Sequence, residues 1–400
     1  MRRILLIVAI VIVLLGIGAF VYFYFFANSA SITVAPTGNT ELPIVEQGIE
    51  ITGTTIPMVT DTPTLVTARL VKISAGPIVA GEVVVNVPAE NASSSPEVAV
   101  HYIERQSGNV FTYSTNTKTI TRTSNKTILG IQSAKWLPDA SFAFVRYLSG
   151  ADFSTVNTYA LPSTSESKSN GFFLPQNLSD IAVSSTSIIA LSSGVNGSAA
   201  SLERIDGTHI TELFTTPLSS LRVSFAGKNQ YLAFTKPSAL IPGSAFIVDS
   251  SKNFSRIAGP LNGLVALTSP SGKLVLISYT QNNTMQMQLV NVSTREVVPL
   301  PVATIADKCV WASDDAVIYC GIPIDPPSDT LYPDYWYQGA VQFSDRIWKI
   351  DVSGRFAQLV LDFSNEIKAP LDAEELAIDP LNTELVFINK NDGSLWAYAL

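Results

Sequence analysis

The sequence predicts an all-β fold: a seven-bladed β-propeller of four-stranded blades, preceded by one N-terminal transmembrane helix. Three observations carry that expectation. Beyond the N-terminus the chain is rich in Val, Ile, Ser and Thr, only 14% of its residues are charged, and no stretch of helical period appears. An apolar strand, a polar turn and a second apolar strand recur with a period of about 43 residues. A second turn pattern shares that period but is offset by about 20 residues, so each repeat holds four strands, the size of a propeller blade.

The first element is an anchor. Ile4 to Ala27 carries no charge and contains Leu, Ile, Val and Phe with Gly16 and Gly18. At 1.5 Å per residue such a run spans a bilayer core of about 30 Å. Arg2 and Arg3 precede it, and no Lys or Arg follows until Arg69. The positive-inside rule then puts the N-terminus in the cytoplasm and the remainder on the extracytoplasmic side of the cell membrane. Ala27-Asn28-Ser29 also fits a cleavage site, but the apolar run exceeds the usual h-region of about 7–15 residues. Residues 1–27 therefore read as cytoplasmic stub and anchor, and residues 28–62, rich in Thr, Pro and small residues, as an extracytoplasmic spacer. Residues 63–400 read as the propeller.

Within the propeller, the first hairpin pattern appears at Trp136–Phe142, Phe225–Tyr231, Thr268–Leu274 and Trp311–Val317, with weaker copies beginning at Val183 and Ile378. The second appears at Tyr113-Ser114, Ala160-Leu161, Ile205-Asp206, Val248-Asp249, Val290-Asn291, Ile350-Asp351 and Tyr398-Ala399. Asp and Asn recur there because an Asx side chain bonds the backbone just ahead of it. One step between repeats is long and locates an insertion at 322–341. The last unit has three strands, ending with Ser394–Leu400, so Thr64–Ser74 is expected to pair with it as the fourth and remove a bare edge.

The turns Leu137-Pro-Asp-Ala-Ser-Phe142 and Ser269-Pro-Ser-Gly-Lys-Leu274 resemble the hairpin of TolB-like and WD-repeat-like propellers, with Trp136 and Trp311 in the position before the turn. Tyr332–Gly339 resembles a segment of uncharacterised membrane-anchored bacterial propellers. The resemblance implies the architecture and carries no activity, because such rings host scaffolds, receptors and enzymes.

Composition narrows the function. The net charge of −8 and the lack of a basic stripe make a nucleic-acid partner unexpected. No catalytic residue is assigned, and neither a metal nor another cofactor is expected: the two histidines, His101 and His209, lie in different repeats without an acid at ligand spacing. Ser165-Glu-Ser-Lys168 matches S-x-x-K but lacks its partner motifs. The insertion is the informative departure. It holds Tyr332, Asp334, Tyr335, Trp336 and Tyr337 with four prolines, which stiffen a loop, and aromatics give contact area at low entropic cost. These five residues are expected either to bind a partner or to pack back onto blade six as a cap. The only cysteines, Cys309 and Cys320, flank the blade-six turn and are expected to face each other as a disulfide, which an extracytoplasmic site permits. The expectation is a membrane-anchored binding scaffold or receptor for a protein or glycan of the cell envelope. The alternative is an extracytoplasmic hydrolase with its site in the central channel.

Overall fold

The computed structural model describes residues 68–88, 96–164 and 170–400. They form seven four-stranded antiparallel sheets. The first strands of the blades are Val83–Val87, Ile131–Trp136, Leu178–Val183, Leu221–Phe225, Val265–Thr268, Cys309–Trp311 and Ala373–Ile378. Those of blades two and three, three and four, six and seven, and seven and one touch one another, which places the first strands innermost, around the axis. The anchor and spacer expectations fall on residues outside those described. Among the described residues no helix is long and apolar enough to cross a membrane.

Each blade is a sheet with two apolar faces, so it is stable only between two neighbours. The buried residues accordingly form clusters that run from blade to blade: Ile189, Leu191 and Phe214 of blade three pack with Val223, Tyr231 and Val248 of blade four. The recurring landmark before each turn adds a polar staple to this packing. Trp136 Nε1 donates to Gly81 O at 3.1 Å, and Trp311 Nε1 donates to Leu267 O at 3.3 Å. Thr268 Oγ1 in the equivalent position donates to Phe225 O at 2.9 Å. In each case the acceptor belongs to the preceding blade, so the first pattern tells each blade how to dock on the last. The second pattern works locally. Asp206 Oδ1 accepts from Thr208 N at 3.0 Å, and Asn291 Oδ1 accepts from Ser293 N at 3.0 Å, each closing its turn.

The ring closes by combining the two ends of the described chain in blade seven, ordered Ala373–Ile378, Glu384–Asn389, Ser394–Ala399 and Leu70–Lys72. Leu70 lies opposite Tyr398, Val71 opposite Ala397 and Lys72 opposite Trp396. The Arg69 guanidinium caps this seam by donating to Ala399 O at 2.7 and 3.0 Å while lying over the Tyr398 ring. The short strand thus lies within the expected Thr64–Ser74 segment, whose first residues fall outside those described.

In blade six, the register sets Cys309 opposite Cys320, with Cα atoms 4.1 Å apart and the sulfurs bonded. The second strand of that blade, Val317–Pro323, leads through the insertion to the third, Asp345–Asp351. Because antiparallel strands reverse direction, this connection lies at the same end of the ring as the links that lead into each first strand.

Two outcomes test this account. Deleting residues 1–75 removes the buried Leu70 and the closing ladder, which deletion of 1–60 spares. The longer deletion is expected to cost on the order of 3–5 kcal/mol, from a buried leucine and lost ladder bonds. That is roughly 6–15 °C in Tm by thermal melting, and equal Tm values would refute closure by this strand. The second outcome concerns His101, whose Nδ1 meets Thr112 Oγ1 at 2.9 Å and whose pKa burial lowers from 6.5 to about 4. Between those values the unfolded chain binds a proton that the folded chain refuses. Stability from this group is therefore complete above pH 6.5 and lost as pH falls to about 4. His101→Gln is expected to lose less Tm than the wild type across that interval.

Candidate functional site

The insertion begins in a proline-rich stretch and ends in one helical turn, Asp334–Tyr337. Successive side chains on a helix are rotated by about 100°. Trp336 points inward, and Tyr335 and Tyr337 flank it on the solvent side. Trp336 and Tyr332 are each 2% exposed and join the core shared by blades four to six, whereas Tyr335 and Tyr337 are each 38% exposed. The five residues expected to act together are therefore divided: two hold the insertion down and two present it.

The remaining contacts make the insertion a strap across the mouth of the ring. Asp334 Oδ2 accepts from Ala239 N in blade four at 2.5 Å. Tyr332 O accepts from Thr280 Oγ1 in blade five at 2.8 Å, and Tyr332 OH donates to Pro327 O at 2.7 Å within the strap itself. Gly263 lies under this crossing with φ +62°, and a Cβ there would stand 2.7 Å from Tyr332 O. Trp336 Nε1 donates to Asp372, at the start of blade seven, at 3.1 and 3.2 Å.

Tyr337 reaches into the channel. Its hydroxyl donates to Asp307 Oδ2 at 2.7 Å, and Asp307 also receives both Arg222 guanidinium nitrogens at 2.7 and 3.2 Å. Burial alone would raise the Asp307 pKa, but Arg222 and these hydrogen bonds hold it below the usual carboxylate value. Lys135 and Glu375 face each other at 3.6 Å, and Asp180 Oδ2 accepts from Val223 N at 2.9 Å. These residues line a cavity of about 400 Å³ on the axis. Glu375 sits on a bulge of the innermost strand of blade seven with φ +47°, a conformation rare outside glycine, and the bulge turns its side chain toward Lys135. Glu82 is buried nearby with neither carboxylate oxygen hydrogen-bonded. Burial, then the charge of Glu375, raises its pKa well above the ordinary value.

A separate ionic cluster lies beneath the strap. Lys308, immediately before Cys309, is fully buried with Asp345 and Asp372. Its Nζ stands 2.8 Å from Asp345 Oδ2, contacts Asp372 Oδ1 and lies over the faces of Trp336 and Phe343. Among the described residues no group of three or more His, Cys, Asp or Glu is disposed to hold a metal ion. Ser165-Glu-Ser-Lys168 lies outside the described residues.

The charged residues of the channel and the Lys308 cluster went unassigned in the sequence. Lys135, Asp180, Arg222 and Asp307 stand on or just before first strands, 45, 42 and 85 residues apart, so they follow the repeat period, and that spacing was the signal that could have found them. Lys308, Asp345 and Asp372 share no such spacing. The adjacent charges Asp307 and Lys308, directly before Cys309 in the approach to a strand, were a local hint.

No family model matches the chain, and no curated relative matches it. Solved structures resemble it throughout the ring. Hydrazine synthase of Kuenenia stuttgartiensis aligns with a TM-score of 0.53 at 12% identity, covering 85% of this chain and 98% of that one. Oligogalacturonate lyase from Vibrio parahaemolyticus aligns with a TM-score of 0.53 at 8% identity, covering 82% and 93%. TolB from Acinetobacter baumannii aligns with a TM-score of 0.43 at 11% identity, covering 80% of each. At these identities the likeness shows the fold alone: the chain is an all-β, seven-bladed propeller.

The division of the strap aromatics is directly testable. Trp336→Ala removes a buried indole and its bond to Asp372 and is expected to cost about 3–5 kcal/mol. Tyr335→Ala is expected to stay within about 0.5 kcal/mol of the wild type. Denaturant unfolding of the two variants checks this, and similar losses in both would show that the strap packs differently.

Proposed function

We propose that this chain is a membrane-anchored, extracytoplasmic binding scaffold that presents the strap face of its propeller to a protein or glycan of the cell envelope. One observation carries the reading: Tyr335 stands exposed on a strap whose neighbouring aromatics, Tyr332 and Trp336, are locked in the core, with Tyr337 half-exposed beside it and pinned by its hydroxyl to Asp307. Aromatic anchors held rigid before binding lose little entropy on contact, which is how binding hot spots work. The anchor and its orientation belong to the same proposal. They rest on the uncharged run Ile4–Ala27 behind Arg2 and Arg3, and the paired Cys309 and Cys320 suit an oxidising compartment.

The hydrolase reading draws less support from the channel. Asp307 is engaged by Arg222, Glu375 by Lys135 and Asp180 by a backbone N–H, so an acid/base role for any of them would have to displace a partner. Among the described residues Glu82 is the one unpaired carboxyl beside them, and it has no second free carboxylate to work with.

A photo-crosslinking amino acid placed at Tyr335 in the full chain, in cells, is expected to give discrete adducts. The same group at Lys228, on a turn at the opposite end of the ring, is expected to give none. Digestion of the adducts with protease or glycosidase then assigns the partner class. No adduct at Tyr335, or equal adducts at both positions, would overturn the proposal.

A further inference from the structure

The cluster under the strap has the parts of a self-made covalent cross-link. An amine, a carboxyl carbon and a proton-transfer group are held together in a dry site lined by Trp336 and Phe343. We infer that Lys308 Nζ and Asp345 Cγ condense to an isopeptide bond within blade six, with Asp372 moving the proton. This goes beyond the binding reading and does not depend on it.

The geometry assigns each role. Lys308 Nζ is the nucleophile: it stands 2.8 Å from Asp345 Oδ2, one bond from the carbon it would attack, and also donates to Ala373 O at 2.9 Å, which holds it at the carboxyl. Ala373 N donates to the same Oδ2 at 2.7 Å, placing a fixed donor where negative charge develops as the carbonyl carbon becomes tetrahedral. Asp345 Oδ1 is buried with no hydrogen-bond partner, and this is the oxygen that leaves. Burial raises the Asp345 pKa to about 6 against the pull of Lys308, with the charge of Asp372 adding to the rise, so the neutral acid that can lose hydroxyl is accessible near neutral pH. Asp372 touches Lys308 Nζ and accepts from Trp336 Nε1 and Phe343 N, which fixes it as the proton acceptor.

The step balances without another reactant. Asp372 takes a proton from the Lys308 ammonium, and the freed amine attacks Asp345 Cγ to form the C–N bond. The second amine proton and the proton held by Asp372 pass to Asp345 Oδ1, which leaves as water as the C–O bond breaks, and Asp372 returns to a carboxylate. The ammonium and the carboxylate become one amide and one water, with no change of oxidation state. Enclosure protects the product from hydrolysis and removes the cost of keeping ions buried. The bond would tie the approach to the first strand of blade six to the start of its third, next to Cys309–Cys320 and where the strap rejoins the blade.

The test is intact-mass measurement of the full chain after complete reduction of the disulfide. The expected mass is lower than the sequence by one water, with a tryptic fragment in which the Lys308 and Asp345 peptides stay linked and cleavage after Lys308 is blocked. Asp372→Asn, checked for folding by circular dichroism, is expected to show its full sequence mass. A full mass in the wild type overturns the inference, as does a missing water mapped to any other pair. A bond still formed in Asp372→Asn overturns the role given to Asp372. The wild-type measurement decides the main point even if the variant fails to fold.

Discussion

Closure of the ring is the constraint on which the other features rest. A blade buries its two faces only against neighbours, so an open array would leave two apolar faces and a bare strand edge in water. The chain meets this by lending Leu70–Lys72 to the blade built from residues near its other end, and by securing the seam with Arg69 on Ala399 and Tyr398. Once the ring is closed, the first strands are held around one axis. Only then do Lys135, Asp180, Arg222, Asp307 and Glu375, drawn from separate blades, come to face one cavity.

Blade six carries the greatest concentration of departures from the repeat. It has the disulfide, the strap and the buried Lys308 cluster, and these are joined: Cys309 follows Lys308, Trp336 donates to Asp372, and Tyr337 reaches Asp307. A long connection between second and third strands would ordinarily be free to move. Here it is bonded to blades four, five and seven as well as to the approach to its own blade. The strap is thereby part of the rigid mouth, and its exposed tyrosines have fixed positions. Rigidity at a rim is useful to a binding surface because ordering has been completed during folding.

The channel shows a complementary economy of charge. Arg222–Asp307 and Lys135–Glu375 pair opposite charges across blades, the first half-buried and the second open to solvent, so the channel mouth carries little net charge. Glu82 is the exception, with a carboxyl driven toward its neutral form by burial and by Glu375. The bulge that places Glu375 beside Lys135 carries a left-handed residue, so local strain is accepted there in exchange for an inter-blade contact.

The sequence by itself determined the blade. Strand alternation, Asx turns such as Asp206 and Asn291, and the landmark positions Trp136, Thr268 and Trp311 act over a few residues, so their spacing exposed the repeat and pointed to seven units, while six or eight stayed open until the seven sheets were seen. The closing strand was legible because a three-stranded last unit requires a fourth, and the opposition of Cys309 and Cys320 because register follows from a turn's centre. Tertiary structure alone decided which strap aromatics turn inward, since that depends on where one helical turn lands on neighbouring blades. It alone also assembled Lys308, Asp345 and Asp372. These residues share no local pattern, and their meeting depends on the strap's return path and on blade seven docking against blade six, which are long-range packing outcomes that no spacing along the chain records.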